Sequence, residues 1–556
     1  MRYIGADSIS YLDLGDAWMR GDWAQAINAM WSPCYSWLLG LTLRIFKPIP
    51  YQEFTVARLL NFGIYSAALA AFAFCLHALL RARLARMTDK RAQDSATEKS
   101  HARAYTSALL PDCVLLLIGY AVFIWTALAM NRVARVSPDL LVSVWVYLTV
   151  GLLLRMRAGD LRWLNFVLLG LVLGVGYLTK TVMFPLAFVW LACAIFAIKP
   201  RRRIAPRIFV ALLVFLFVAM PFVVALSRTE HRLTIGDSAR LNYAWYVNRI
   251  TPFTHWQGEP AGSGTPAHPT RQIFTAPNVY EFAAPVAGTY PPWYDPTYWY
   301  AGVTPHINLR QQAHASARNL FLLARFICAH IFLLAALLSL AMLFYFSRRG
   351  RTPIGDVTML WIVSLPSLIA CGLYLLINIE ARYLAPFFTL IALSLFACVR
   401  LPETLTAQRL TRVTVAVILL ACAVSLAPDA ARDVYATTRD AFTNQAVTDD
   451  VQWQIASELQ RLGVRPGAQV AIIGDAMYAA WPRLARVRVV AELPVKPDGN
   501  VAAFWAADES RQQQIIAAFA RTGAQVIIAQ DVPQGVATDG WQRIGQTNHY
   551  IYFLNR

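Results

Sequence analysis

Four aspartates stand within the first twenty-two residues: Asp7, Asp13, Asp16 and Asp22, in Ala6-Asp7-Ser8-Ile9-Ser10-Tyr11 and Arg20-Gly21-Asp22-Trp23. Trp31-Ser32-Pro33-Cys34-Tyr35 follows. Much farther along come Ser137-Pro138-Asp139, Leu178-Thr179-Lys180-Thr181 and Glu380-Ala381-Arg382-Tyr383-Leu384-Ala385-Pro386. A carboxylate can take a proton from a hydroxyl. Arg and Lys can hold an anion such as a phosphate, and aromatic faces beside polar groups suit stacking on sugar rings. Each stretch also has a plainer reading. Ser137-Pro138-Asp139 is a good helix start, with Ser as the cap, Pro at the first position and Asp favoured by the dipole. Lys180 and Arg382 can snorkel at helix ends, and Asp7 can cap a turn. Whether these residues do chemistry together depends on the elements that carry them.

The chain has 556 residues, of which 57% are hydrophobic and 15% charged; its formal net charge is +18 and its mean hydropathy +0.44. Average proteins are roughly a quarter charged, and a single water-soluble core stops growing at roughly 250–300 residues. Disorder, a coiled coil and a conventional cytosolic enzyme are excluded; the composition is that of a polytopic membrane protein. Apolar runs predict ten spans, near 54–80, 109–130, 138–157, 162–179, 182–198, 205–227, 319–346, 356–378, 383–399 and 412–428. The eight cysteines include no C-x-x-C pair, so they supply no zinc or redox motif and read as small apolar fillers.

Sorting the connecting loops by charge assigns a side to each. The loops 81–103, 155–162, 199–207, 347–356 and 400–412 hold 21 basic and six acidic residues, a net +15, whereas the other short loops hold only Arg132, Arg135, Lys180 and Arg382. The positive-inside rule puts the first set in the cytoplasm. Most of the basic excess is therefore topology, and a nucleic-acid partner loses its support. Residues 1–53, 228–318 and 429–556 are then outside, periplasmic in a bacterial inner membrane. Met1-Arg2-Tyr3-Ile4 begins no signal peptide. Either the first span carries the tail across, or a further helix precedes the given start, the reading preferred here. The stretch 34–47 contains Arg44 and Lys47 and predicts an amphipathic helix on the outer surface rather than a span.

The segment 228–318 is rich in Pro and aromatics, with Tyr290-Pro291-Pro292-Trp293-Tyr294-Asp295-Pro296 and Tyr298-Trp299-Tyr300. That density of Pro argues against long helices and central strands, and an irregular segment of this length is usually functional. Its rings also fit an interfacial belt or self-packing. The segment 429–556 changes character. Helices are predicted over 449–463 and 509–522, and strands over 468–474, 486–492, 525–530 and 550–554, which makes a small α/β domain. Gly474-Asp475-Ala476 lacks a dinucleotide-binding pattern. The expected domains are thus 1–53, 54–227, 228–318, 319–428 and 429–556.

At these residues the chain resembles the membrane-embedded glycosyltransferases of the C type, the superfamily of the protein O-mannosyltransferases and the lipid A aminoarabinose transferase. The first outer loop of that family carries an acidic residue followed by Tyr, then Gly-Asp-Trp, then Pro and Tyr before an amphipathic helix. Asp7, Tyr11, Gly21-Asp22-Trp23, Pro33 and Tyr35 are similar to that order. Arg382-Tyr383 with Pro386 is similar to a late Arg-Tyr-x-x-Pro, and Asp139 stands where a second acid is often found. The chain departs in having Asp7-Ser8 where many relatives have Asp-Glu, and in showing no helix before the first loop. The resemblance covers about residues 1–428.

The resemblance implies a GT-C fold, mostly α, and inverting transfer of a sugar from a polyprenyl-phosphate donor to an envelope acceptor at the outer face. Such a reaction needs one base for the acceptor hydroxyl and charge stabilisation for a phosphate leaving group. Glycoside hydrolysis, by contrast, needs paired carboxylates. It implies Asp7 as base, Asp139 as a supporting acid and Lys180 and Arg382 as phosphate ligands. Tyr11, Asp22, Tyr35, Trp293, Tyr298, Trp299 and Tyr383 would form the surrounding substrate loops. No cofactor is demanded, though a divalent metal is compatible. Two other classes stay open. A transporter or flippase would place charges in mid-membrane and often show repeated halves; a non-catalytic assembly protein would have no need of Asp7 and Arg382 on one face.

Overall fold

The computed structural model describes residues 4–96, 107–250, 255–282, 287–347, 354–443, 450–496 and 499–554. Lys99, Arg103, Arg348, Arg349 and Arg351 of the charge sort lie outside them. It is a mostly α polytopic protein with a small sheet domain. The N-terminal segment folds into α1 (Ala6–Arg20), α2 (Trp23–Ala26) and α3 (Pro33–Phe46). Gly21 ends α1 in the left-handed conformation, with φ 73°. A long helix, α4 (Glu53–Ala96), follows, then α5 (Asp112–Trp125) with a wider turn over Thr126–Asn131. Next come α6 (Asp139–Arg157), α7 (Trp163–Thr179), α8 (Met183–Ala197) and α9 (Arg201–Thr229).

The segment 228–318 holds α10 (Ser238–Tyr246), α11 (Pro291–Tyr294) and α12 (Pro296–Trp299). The bundle resumes with α13 (Leu309–Ala329), α14 (Ile331–Ser347), α15 (Ile354–Ile377), α16 (Ala381–Ala397) and α17 (Leu405–Thr443). Each of the ten apolar runs falls on these helices. Among the described residues, five stretches, on α4 and the turn before it, α5 and its wide turn, α6, α9 and α17, are long and apolar enough to cross a bilayer. The run read as one span over 319–346 is instead two helices that meet at 90° about His330. No proline stands there; the His330 ring nitrogen Nδ1 lies 2.7 Å from the Phe326 carbonyl.

Among the shorter apolar helices are α7, α8 and α16, with 17, 15 and 17 residues. At 1.5 Å per residue they reach about 22–26 Å, less than a hydrocarbon core of about 30 Å. One end of each lies beside Lys180, Thr181 or Arg382, so these three helices stop where the polar residues gather. The opposite ends of α6 and α7 carry a separate charge cluster. There Arg155 Nη2 and Arg162 Nε lie 2.6 and 2.8 Å from the Asp160 carboxylate.

Close crossings fix the geometry. Gly15 of α1 faces Gly40 of α3 so tightly that a Cβ on Gly40 would stand 2.5 Å from the Gly15 carbonyl oxygen. Small residues let helix backbones approach in this way. Gly40→Val is expected to lower stability by about 1–3 kcal/mol through overpacking, read as a drop in the melting temperature of detergent-solubilised protein. An unchanged melting temperature would mean that α1 and α3 do not cross at this contact.

The sheet adds three strands to the four expected from the sequence. It has seven strands in the order β2 (Arg271–Thr275), β3 (Asn278–Glu281), β6 (Arg488–Pro494), β5 (Gln469–Gly474), β7 (Val526–Ala529), β9 (Tyr550–Phe553) and β8 (Gln542–Arg543). The remaining strands, β1 (Ser107–Leu109) and β4 (Arg400–Pro402), pair separately. β5 runs parallel to β6 and β7. β2 and β3 come from the Pro-rich segment, and β3 is an internal strand, antiparallel to β6. Internal pairing is possible because Pro277 lies just before β3, so no ladder donor is lost. Helices α18 (Val451–Arg461), α19 (Trp481–Ala485), α20 (Asn500–Ala506) and α21 (Glu509–Ala520) complete the domain.

Candidate active site

Asp7 sits in the first turn of α1, where the helix dipole favours a carboxylate. Neighbours on α1 hold that turn in place: Ser8 Oγ donates to the Val136 carbonyl at 3.0 Å, and Ser10 Oγ to the Trp293 carbonyl at 3.0 Å. Asp139 is the first residue of α6. Pro138 occupies the capping position, one residue later than the Ser-cap reading placed the start. Lys180 follows the last residue of α7, and Arg382 lies in the first turn of α16.

These four stretches converge. Arg382 Nη2 donates to Asp7 Oδ2 at 3.0 Å, and its Nε donates to Glu380 Oε2 at 2.6 Å and stands 3.5 Å from Asp139 Oδ2. Lys180 Nζ donates to the other Asp139 oxygen at 2.5 Å. Lys180 Nζ also lies 3.6 Å above the Tyr383 ring, which stacks on Tyr374 at 5.1 Å. Asp139 is 3% exposed and Arg382 9%, whereas Asp7 retains 29%. Asp139 is thus locked between two cations, while Asp7 remains open to a ligand.

Two cavities share the wall formed by Asp7, Arg382 and Tyr383. One, of about 270 Å³, is mostly apolar and runs past Tyr11, Asp139 and Lys180 to Val182, Pro185, Ile235, Leu373 and Ile377. The other, of about 230 Å³, is more polar and is lined by Ser8, Arg135, Asn242, Trp245, Tyr246 and Glu380; Met477 and Tyr478 of the α/β domain also reach it. Trp293 also lines the polar cavity. Its Nε1 donates to Asp7 Oδ1 at 3.3 Å, while its ring stacks on Trp245 and meets Trp31 edge-on. Tyr11 packs edge-on against Trp31 and Tyr35, and burial, with the charges of Asp7 and Asp139, pushes its hydroxyl well above its ordinary value. Tyr11 therefore stays neutral and serves as a wall, not as a base.

Other expected residues lie elsewhere. Tyr35 is fully buried behind Tyr11 and donates to Asn61 Oδ1 at 2.7 Å; Asn61 in turn donates to the Val133 and Arg135 carbonyls. Tyr35 thus shapes the loop that carries Arg135 without lining either cavity. Asp22 is at the far end of α1, some 15 residues or about 22 Å from Asp7. It precedes α2, while Trp23 is 60% exposed and packs on Trp18. Tyr298 stacks on His268 at 4.0 Å, and Trp299 packs against Phe282 and Tyr298. Of the loop aromatics singled out, Trp293 is the one that reaches the polar cavity. Glu380, Arg135, Trp245 and Asn242 had not been singled out. Glu380 was legible as the acid two residues before Arg382, and Arg135 as one of the few basic residues on the outer side. Arg135 Nη1 stands 3.8 Å from the Glu380 carboxylate.

Among the described residues no three His, Cys, Asp or Glu side chains gather into a set that could hold a metal ion. The site carboxylates are instead engaged by Arg and Lys. These residues do not fit a metal, and no step is routed through one.

Fold and site together define an integral membrane protein with an amphiphilic, charge-lined pocket where α7, α8 and α16 end. No known family profile matches the sequence, and no curated protein matches it. Among solved structures it is similar to the crystal structure of ArnT from Cupriavidus metallidurans in the apo state, at 12% identity and a TM-score of 0.39, over 99% of this chain and 94% of that one. At that score the superposition transfers neither residues nor roles.

Proposed function

We propose that the protein is an inverting membrane glycosyltransferase of the C type, taking a sugar from a polyprenyl-phosphate donor and passing it to an envelope acceptor at the periplasmic face. One observation carries the reading. Asp7, Asp139, Lys180 and Arg382, which are far apart in sequence, meet between an apolar cavity and a polar one. A lipid phosphate needs that pairing, because its tail is apolar and its head anionic. In this reading the apolar cavity takes the donor, with its phosphate toward Arg382 and Lys180, and the polar cavity admits the acceptor hydroxyl. Asp7 takes the hydroxyl proton as the acceptor oxygen attacks the anomeric carbon from the face opposite the phosphate. The bond from anomeric carbon to phosphate oxygen breaks, and the two cations stabilise the charge left on the phosphate. Asp139 anchors both cations.

The site stands at helix ends rather than in mid-span, which favours a transferase over a transporter. The test is a paired one. Purified protein in proteoliposomes is incubated with lipid-linked sugars extracted from the membrane, and a gene deletion is analysed by mass spectrometry of envelope glycans. The expected result is consumption of one carrier-linked sugar in vitro and its accumulation in the deletion. Transport of such a lipid with no new glycosidic bond would overturn the transferase reading.

A further inference from the structure

A second buried charge cluster lies outside the pocket. Arg483 of α19, only 4% exposed, is surrounded by three carboxylates. Its Nη1 stands 2.7 Å from Asp13 Oδ1 and 2.6 Å from Asp16 Oδ2; its Nε donates to Glu53 Oε2 at 3.1 Å, and Nη2 donates to Glu53 Oε1. Asp13 also accepts from the Thr289 amide at 2.6 Å and from the Thr289 hydroxyl at 2.9 Å. Burial pushes the Asp13 carboxyl above its ordinary range against the opposing pull of Arg483. Burial opposes charge on Arg483 too, but Glu53, Asp16 and Asp13 hold its guanidinium well above its ordinary value. A buried ion cluster of this kind contributes little net stability compared with apolar packing, yet it is costly to break, so it defines geometry.

The geometry it defines is that of α1. Asp7, Ser10 and Asp13 follow at intervals of three and share one helix face. Asp7 and Ser10 bond Trp293 from that face, while Asp13 bonds Thr289 and Arg483. Asp13 lies about 9 Å along the axis from Asp7, and a continuous helix transmits both shift and rotation over that distance. We propose that Arg483 is a positioning residue of the α/β domain that sets, through Asp13, the placement of α1 and so of the Asp7 carboxylate in the pocket. The inference rests on Asp7 being the base; it makes the α/β domain part of the catalytic apparatus without contact with the reacting atoms.

The test uses the full-length protein in proteoliposomes. Arg483→Gln, Arg483→Lys and Asp13→Asn are compared with wild type for kcat per folded molecule, donor KM and melting temperature. The expected result is a kcat lowered about tenfold or more in Arg483→Gln and Asp13→Asn, with donor KM within about twofold of wild type and partial recovery in Arg483→Lys. Unchanged kcat per folded molecule with only a lower melting temperature would overturn the proposal, as would an effect confined to donor KM. If Arg483→Gln does not fold, Asp13→Asn decides, since it keeps the side-chain shape and an oxygen for Thr289. A fully active Asp7→Asn variant removes Asp7 as the base, and with it the reading on which this inference rests. An inactive Asp7→Asn beside fully active Arg483 and Asp13 variants sinks this inference alone.

Discussion

Asp7→Asn is expected to lower sugar transfer by roughly 10²–10⁴-fold, the usual contribution of a positioned general base. Asparagine has almost the same shape and keeps an oxygen for Trp293 Nε1, so the pocket wall survives. What is lost is the ability to take a proton. Donor binding should change little, because Arg382 and Lys180 remain and Asp139 still anchors them. The measurement is single-turnover transfer in proteoliposomes alongside the donor dissociation constant. Transfer at the wild-type rate would exclude Asp7 as the base, and a loss explained wholly by weaker donor binding would make it a ligand instead.

The second large effect is expected at Arg382. Its guanidinium lies within 3.5 Å of carboxylates on Asp7, Glu380 and Asp139. Removing a buried partner from such a group typically costs 2–5 kcal/mol or more, much of it from the charges left unpaired. Arg382→Ala is therefore expected to weaken donor binding by roughly 30-fold or more. Arg382→Lys should recover only part of this, since an ammonium cannot offer a planar fork to several oxygens. Competition by polyprenyl phosphate, with and without the sugar, reads the effect. Unchanged affinity for both lipids in Arg382→Ala would remove Arg382 from the phosphate site.

Asp7, Asp139, Lys180 and Arg382 were legible in the sequence because topology and chemistry left different marks. The charge sort assigns most basic residues to one set of loops, where they would orient the helices, so Lys180 and Arg382, in the other set, call for another reason. Asp22 and Tyr35 show the limit of motif order. Both lie near Asp7 in sequence, but α1 carries Asp22 to its far end, and Tyr35 turns inward to Asn61. Helical periodicity decides that, and the loop-like reading of residues 1–53 did not include it. Tyr298 and Trp299 stand apart from the cavities for a different reason: an aromatic-rich segment folds largely on itself, and no local signal marks Trp293 as the ring that reaches the polar cavity. The Arg483 cluster was illegible because its partners are hundreds of residues away, and sequence spacing carries no trace of such pairs.

The sheet also has a consequence for biogenesis. Tyr280 of β3 pairs with Glu492 of β6, and the bundle helices from Leu309 to Thr443 lie between them in the chain. At about 5–20 residues per second, the ribosome delivers β6 on the order of 10–40 s after β3. During that interval β2 and β3 wait without a partner strand beyond each other, and the polar cavity lacks its wall of Met477 and Tyr478. The polar cavity is therefore closed only after Met477 and Tyr478 have been made, so a chain stopped after α17 holds Asp7, Asp139, Lys180 and Arg382 but lacks that wall. The order of synthesis thereby becomes a completeness check on the membrane-inserted product.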